Sequence, residues 1–213
     1  MDTPDILLQK ADENAIVSRI SGDKFVAFYP YSDIDALTEK IKSIVYDVKH
    51  IKRSKDKYYK LVPVVGIYPV EAGDSAIIAV DRANIARKNV DDYHLRNHMY
   101  YDESMHNALL EQKSIEDSME DALKNHDFPV FYQPKFDIST RQISGAEALV
   151  RWNRYSEMVP PIRFIPLFED NGFIVPLDYY VLESVCANMR ARLDAGKKVL
   201  PISVNFSRVH LST

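Results

Sequence analysis

Residues 143–152 read Ile-Ser-Gly-Ala-Glu-Ala-Leu-Val-Arg-Trp, and residues 130–137 before them read Val-Phe-Tyr-Gln-Pro-Lys-Phe-Asp. Both stretches are rich in apolar and aromatic residues, and a turn at residues 139–142 lies between them, so the pattern predicts a β-hairpin. Polar side chains interrupt these apolar strands at Gln133, Glu147 and Arg151. Because polar groups inside apolar strands need partners, these positions are the first candidates for a functional site.

The sequence after this hairpin predicts an alternation of helix and strand. Residues 153–161 are expected to form a loop, and residues 165–171 a short helix. A long helix is expected over residues 178–195, with Gly196 as its stop. Because residues 199–206 have the pattern of another strand, the order predicts the opening of a parallel α/β barrel or open sheet.

Four polar residues of this half have the chemistry of a metal and phosphate site. They are Gln133, Glu147, Arg151 and Asn205. Carboxylate and amide oxygens suit Mg²⁺ or Mn²⁺, a guanidinium suits a phosphate, and active sites of parallel barrels form at strand ends. The spacing alone favours a simpler interpretation, in which Glu147 and Arg151 form a surface ion pair and Asn205 is a turn residue.

A family resemblance favours the functional interpretation. Tyr-Gln-Pro at residues 132–134, followed by Glu-Ala-Leu-Val-Arg-Trp at residues 147–152, resembles the signature of EAL domains, which hydrolyse cyclic-di-GMP. The segments Phe-Ile-Pro-Leu-Phe-Glu at residues 164–169 and Ser-Val-Asn-Phe-Ser at residues 203–207 follow in the family's order. The likeness runs from roughly residue 114 to the C-terminus.

This resemblance implies a role for each of the four polar residues. By motif position, Glu147 is a catalytic residue and a metal ligand, and Asn205 is a second metal ligand. Arg151 resembles the phosphate contact, and Gln133 resembles a substrate-pocket residue. The implied mechanism is hydrolysis of cyclic-di-GMP to linear pGpG by water activated by Mg²⁺ or Mn²⁺, with two metals stabilising attack and departure.

The length of the EAL-like region implies an incomplete domain. Residues 126–213 are far fewer than the about 250 residues of a typical (β/α) barrel. Further family residues, among them metal-binding acids and a catalytic lysine, lie on later strands. We therefore expect this chain to be an inactive fragment of a cyclic-di-GMP phosphodiesterase. The alternative is a catalytically silent receptor or scaffold that binds cyclic-di-GMP or GTP.

The first half predicts a second α/β domain. Residues 16–29 place two apolar runs on either side of Ser21, Gly22 and Asp23, which favours a tight hairpin. Asp33 is a candidate helix cap, and the pattern predicts a strand over residues 61–68 and a second helix over residues 74–88.

This half resembles the C-terminal part of a GGDEF domain, the diguanylate cyclase fold. The degenerate signature consists of Ser21, Gly22, Asp23, Lys24 and Phe25. Lys24 replaces an acid that helps to bind metal in active cyclases, and a cation there opposes Mg²⁺ binding. Diguanylate cyclase activity is therefore not expected, although GTP stays a candidate ligand.

These observations predict three segments of α/β class. Residues 1–105 are the partial GGDEF-like domain, a central sheet with flanking helices. Residues 106–125 are a linker helix with Ser114 as a candidate cap, and residues 126–213 are the first part of an EAL-type barrel.

Composition excludes several other classes of protein. Of the 213 residues, 46% are hydrophobic and 27% charged, which is typical of a globular protein. The net charge of −4 argues on electrostatic grounds against a nucleic-acid partner. Cys186 is the one cysteine, which favours a reducing compartment. No apolar stretch reaches the roughly 20 residues of a membrane span, so we expect a cytoplasmic protein whose membrane anchor, if any, lies outside this chain. Homodimerisation is left open.

Overall fold

The computed structural model divides the chain into two compact units, Met1–Ala108 and Leu109–Thr213. It describes residues 6–7, 9–10, 14–50, 61–91 and 96–211. Each unit combines helices and strands, in agreement with the predicted α/β class. Within these described ranges, no helix is both long enough and apolar enough to cross a bilayer.

The first unit opens with the predicted hairpin. Strands β1 (Ile16–Ser21) and β2 (Lys24–Phe28) pair antiparallel, and Ser21 faces Lys24 across the turn. Gly22 has a φ of 49°, a conformation that favours glycine. The Arg19 guanidinium donates a hydrogen bond of 2.7 Å to the carbonyl of Gly22, which closes the turn from one side.

A helix and a parallel strand pair form the centre of this unit. Helix α1 (Ile34–Lys49) begins at the predicted cap Asp33, whose side chain accepts a hydrogen bond from the Asp35 amide. Its apolar side packs on strand β3 (Val65–Ile67), which pairs in parallel with strand β4 (His98–Tyr100). The predicted strand at residues 61–68 is therefore present, but shorter.

Helix α2 (Ala76–Lys88) packs directly on the backbone of β3. Its N-terminus is capped by Ser75, whose hydroxyl accepts a hydrogen bond of 3.3 Å from the Ile78 amide. A Cβ atom at Gly66 would lie 1.8 Å from the Ala83 carbonyl oxygen, so only glycine fits where strand and helix meet.

An ionic network ties α2 to the end of the parallel pair. The Tyr68 hydroxyl donates a 2.5 Å hydrogen bond to Asp74, and Arg82 lies 3.3 Å from the same carboxylate. The Tyr68 hydroxyl, followed by the Glu71 amide, lowers the pKa of Asp74. The guanidinium of Arg82 also stacks 5.0 Å from the ring of Tyr68 and 5.5 Å from that of Tyr101.

The second unit contains most of the remaining elements. They are helix α3 (Glu103–Lys124), which begins before the division between the units, strands β5 (Val130–Phe136), β6 (Ile143–Val150), β7 (Trp152–Arg154) and β8 (Glu157–Val159), helices α4 (Ile165–Asp170) and α5 (Ile174–Asp194), and strand β9 (Ile202–Val204). Short 3₁₀ turns cover Pro161–Arg163 and Arg208–Leu211. The predicted stop at Gly196 is confirmed, with a φ of 69° after the last turn of α5.

The helix predicted over residues 106–125 is present, but its predicted cap at Ser114 was wrong. Helix α3 begins at Glu103, where the carboxylate of Asp102 accepts a hydrogen bond from the Ser104 amide. Ser114 therefore lies in the middle of the helix. Its hydroxyl and carbonyl accept hydrogen bonds of 2.5 and 2.6 Å from Arg154, so the serine joins the helix to β7 instead of capping it.

The predicted loop over residues 153–161 was also wrong in part. Strands β7 and β8 form a small antiparallel hairpin in which Trp152 faces Val159. Its turn places Tyr155 and Ser156 at φ values of 51° and 66°. The sequence lacks the glycine that normally marks such a turn, so the hairpin left no signal.

An aromatic cluster forms the main core of the second unit. The largest fully buried side chains there are those of Phe128, Trp152, Phe164 and Phe168. The rings of Phe128 and Trp152 stack with centroids 5.1 Å apart, and Phe164 meets Trp152 edge-on at 5.7 Å. Trp152 is the single tryptophan of the chain, so its fluorescence reports on this unit alone.

Strands β5, β6 and β9 form a three-stranded sheet in that order, with β6 and β9 parallel. Helix α5 covers one face, where Val181 and Val185 pack against Ala148. This arrangement confirms the predicted strand, helix and parallel strand. The two parallel strands approach so closely that a Cβ atom at Gly145 would lie 2.7 Å from the carbonyl oxygen of Pro201.

The network at Asp74 predicts a measurable change in its ionisation. Replacing Tyr68 by phenylalanine removes the strongest influence on the carboxylate, so its pKa should rise in a carbon-detected NMR titration. Because the folded pKa is depressed, stability from Asp74 is present above its ordinary pKa and is lost as the pH falls through the depressed value. Tyr101→Phe, which leaves the Tyr68 hydroxyl in place, should not raise this pKa. A carboxylate that titrates identically in Tyr68→Phe would contradict the assigned cause.

The close approach at Gly145 predicts a loss of stability. Gly145→Ala should lower the unfolding free energy of the second unit by about 2 kcal/mol, because the strands must separate to admit the methyl group. Urea unfolding followed by Trp152 fluorescence measures this change. Ser144→Ala, one residue away and exposed, should stay within about 0.5 kcal/mol of the original protein. Equal stability of the two variants would rule out the close contact.

Candidate metal and phosphate site

The three strands of the second sheet bring polar residues into one row. Gln133 of β5 pairs with Glu147 of β6, and Glu147 pairs with Ser203 of β9. Because side chains alternate along strands, these three residues lie on the face opposite Ala148 and helix α5. Gln133 and Ser203 are exposed and Glu147 is half-buried, so the row is open to solvent in the described part of the chain.

The central contact of this row joins Glu147 to Asn205. Asn205 follows the last residue of β9, and its side-chain amide donates a 2.9 Å hydrogen bond to Glu147 Oε1. The two residues are 58 positions apart in the chain, and the parallel pairing of β6 with β9 brings them together. The contact places the two predicted metal ligands side by side.

Lys135 is a site residue that the sequence interpretation missed. Its ammonium donates a 2.6 Å hydrogen bond to the Ser203 hydroxyl and lies 4.0 Å from Glu147 Oε2. The available signal was its position two residues after Gln133, which places both side chains on one face of β5. The ammonium is the cation that accompanies Glu147 in this structure.

Arg151 lies at the edge of this arrangement. It follows β6, and its amide donates a hydrogen bond of 3.0 Å to the carbonyl of Pro129. Its guanidinium donates one hydrogen bond of 2.9 Å to the Val150 carbonyl. Among the described residues, no hydrogen bond or ion pair connects Arg151 with Glu147, so the simple ion pair weighed from the sequence does not form.

The donor atoms of this site suit a hard divalent cation, as a partial ligand set. The carboxylate of Glu147 and the amide of Asn205 supply oxygen donors of the type that Mg²⁺ and Mn²⁺ prefer. No group of three or more His, Cys, Asp or Glu side chains able to hold a metal occurs within the described ranges. The pair therefore fits part of a metal site.

The residues predicted to be a degenerate GGDEF signature lie at the β1–β2 turn. Ser21 ends β1, Gly22 and Asp23 form the turn, and Lys24 begins β2 with an exposed side chain. The ring of Phe25 packs under the Arg19 guanidinium at 5.6 Å.

Comparisons with known proteins support the resemblance of the second unit. Residues 116–213 match the family model of the EAL domain. An uncharacterized protein of Synechocystis is 31% identical over 144 residues, which are 67% of this chain and 20% of that protein. The bifunctional diguanylate cyclase/cyclic di-GMP phosphodiesterase MucR of Pseudomonas aeruginosa is 26% identical over 200 residues, 92% of this chain and 29% of MucR.

A solved structure gives a similar result. The PaMucR phosphodiesterase in its c-di-GMP complex is 32% identical, covers 46% of this chain and 40% of that chain, and has a TM-score of 0.43. This chain spans only 20% and 29% of the lengths of the two curated relatives. The match to the family model confirms the EAL resemblance of residues 116–213, whereas the GGDEF resemblance of the first unit stays a prediction.

The position of Lys135 predicts an effect on cation binding. Lys135→Met removes a positive charge 4.0 Å from Glu147 at nearly constant length, so Mn²⁺ should bind roughly threefold more tightly, a modest effect because both side chains are partly exposed. Isothermal titration calorimetry measures the affinity. Lys124→Met removes an exposed lysine of the same unit and should leave the affinity unchanged. Equal affinity in the original protein and Lys135→Met would remove Lys135 from the site.

Proposed function

We propose that the second unit is part of an EAL-type site for the hydrolysis of cyclic-di-GMP. The observation that carries this proposal is the hydrogen bond between Glu147 and Asn205, which joins the two residues that the family motif implies as ligands. The match of residues 116–213 to the EAL family, from which these ligand roles are taken, supports the same proposal.

In this proposal Glu147 and Asn205 hold Mg²⁺ or Mn²⁺. A bound divalent ion supplies an acidified water and stabilises charge on the phosphodiester oxygens. Glu147 contributes the negative charge, and Asn205 orients it through the 2.9 Å hydrogen bond while offering its own amide oxygen. The ion would displace the Lys135 ammonium as the cation nearest the carboxylate.

Gln133 and Arg151 contribute to substrate binding in this proposal. Gln133 lies directly beside Glu147 on β5, where its amide can hydrogen-bond a nucleotide next to the reacting phosphate. Arg151 follows the strand that carries Glu147, and a guanidinium can pair with a phosphate through two parallel hydrogen bonds. The product of a single cleavage is linear pGpG.

Glu147 and Asn205 alone offer a divalent ion little negative charge. Mg²⁺ keeps several of its six oxygen ligands as water, so one carboxylate and one amide oxygen would hold it only weakly. We therefore propose that the chain alone binds a divalent ion weakly and does not turn over cyclic-di-GMP, and that further residues complete the site.

For the first unit we propose a degenerate GGDEF-like domain. The signature residues occupy a hairpin turn, and the exposed Lys24 stands where an acid would support metal binding. Such a domain would bind GTP or a protein without cyclase activity.

A second candidate function is a silent cyclic-di-GMP receptor or scaffold. The observation that favours it is Lys135, whose ammonium occupies the neighbourhood of Glu147 together with Ser203. A lysine that stays in place would supply a positive charge for the ligand's phosphate without a metal. Cyclic-di-GMP binding that survives chelation of divalent ions would favour this alternative.

The phosphodiesterase proposal predicts the effect of removing Glu147. Glu147→Ala, made in a protein that carries this chain within a complete EAL domain, should reduce pGpG formation with Mn²⁺ by at least about a thousandfold, because the carboxylate would both bind the ion and balance its charge. The same substitution in the 213-residue chain should retain the Trp152 fluorescence transition in urea, since Glu147 lies on the open face of the sheet.

Glu157→Ala provides the control, because Glu157 is an exposed acid of β8 in the same unit. It should hydrolyse cyclic-di-GMP at the original rate. Turnover by a folded Glu147→Ala variant at the rate of this control would overturn the ligand assignment.

A further inference from the structure

The segment after β9 carries Asn205 without support from a long strand. Strand β9 has only three residues, and the chain then turns into the 3₁₀ helix Arg208–Leu211. Ser207 is two residues beyond Asn205, so their Cα atoms are at most about 7.6 Å apart. Whatever fixes Ser207 therefore restricts the position of the Asn205 amide.

Asp178 of helix α5 holds this segment in place through two hydrogen bonds. It is the only charged residue among the described residues that is buried, with 8% of its surface exposed. Its Oδ2 atom accepts a 2.9 Å hydrogen bond from the Ser207 amide and lies 2.9 Å from Nε2 of His210, which donates to it. The carboxylate thus binds the segment at both ends of a short turn.

A second acid holds the same serine. Glu169 of helix α4 accepts a 2.6 Å hydrogen bond from the Ser207 hydroxyl, which itself accepts a bond of 3.2 Å from the Val209 amide. The ring of His210 packs edge-on against Phe206 at 5.2 Å, which adds an apolar contact to the turn.

Burying the Asp178 carboxylate costs free energy of folding, because the charge loses contact with water. Removing a charge from water is unfavourable unless hydrogen bonds compensate, and an apolar side chain of similar volume often packs as well or better. The two donors from the segment after β9 provide that compensation. The buried carboxylate at position 178 therefore serves to hold the segment of residues 205–211 in place.

We propose that Asp178 is a positioning residue that holds Asn205 against Glu147, with Glu169 as a second anchor. The inference rests on the proposed function for the identity of the bound ion, whereas the positioning of Asn205 stands on these contacts alone. A displacement of the Asn205 amide by about 1 Å away from Glu147 would break their 2.9 Å hydrogen bond, so a movement of Ser207 that carries Asn205 with it would separate the pair.

The test compares three variants on helix α5. Asp178→Leu removes the acceptor at similar volume, Asp178→Asn keeps an acceptor oxygen, and Glu183→Gln removes an exposed charge of the same helix. Two readouts apply to each variant: the side-chain amide signal of Asn205 in ¹⁵N NMR, assigned through its loss in Asn205→Ala, and the Mn²⁺ affinity from calorimetry. Trp152 fluorescence in urea checks folding.

Asp178→Leu should move the Asn205 signal to the position of a free amide and weaken Mn²⁺ binding by at least about tenfold. Asp178→Asn should keep the Asn205 signal near its original position and the Mn²⁺ affinity within about threefold of the original value. Glu183→Gln should change neither the signal nor the affinity. An unchanged Asn205 signal in folded Asp178→Leu would overturn the proposal. If the original chain binds no Mn²⁺, the metal assignment fails, and the NMR signal still decides the positioning.

A second variant decides the case in which Asp178→Leu does not fold. Ser207→Ala removes the hydroxyl held by Glu169 while its amide can still donate to Asp178. The Asn205 amide signal should shift part of the way toward the free position. A signal identical to that of the original protein would then overturn the proposal.

Discussion

The parallel contact between β6 and β9 is the constraint on which the second unit depends. Gly145 lets the Pro201 carbonyl approach the neighbouring strand, and the Ala146 amide donates a 3.0 Å hydrogen bond to it. Once this bond fixes the register, Glu147 faces Ser203, and Asn205, two positions further along the chain, reaches the carboxylate. A bulkier residue at Gly145 therefore affects a site two residues away without touching it.

The two faces of this sheet have different roles: one packs against helix α5 and the other carries the candidate site. Ala148 faces helix α5 and the valines that cover it, whereas Glu147 faces the open side with Lys135 and Ser203. Because the side-chain period of a strand is two, a change of one residue in register would bury the carboxylate and expose the alanine. The packing of Ala148 against α5 thus fixes the face of the sheet on which Glu147 lies, and so fixes the position of the site.

Much of this fold could be predicted where one residue type has one local role. Asp33 caps a helix and Gly196 ends one, as their side chains and backbone preferences indicate. Ser114 was misassigned because a serine in mid-helix resembles a cap until its partner Arg154 is known. Lys135 was overlooked because its position two residues after Gln133 gives only the face of the strand, whereas its contact with Ser203 lies 68 residues away in the chain. The ligand pair itself was found through family resemblance, since spacing alone favoured a surface ion pair.

The claim that Glu147 and Asn205 together hold a divalent ion is tested most directly by paramagnetic broadening. Substoichiometric Mn²⁺ is added to the ¹⁵N-labelled chain, and signal loss is mapped along the sequence. The account predicts that the signals of Glu147, Ser203 and Asn205 broaden first, because these residues surround the shared oxygen donors. Broadening confined to exposed acids elsewhere, such as Asp121 or Glu157, with the Asn205 side-chain signal intact, would contradict it.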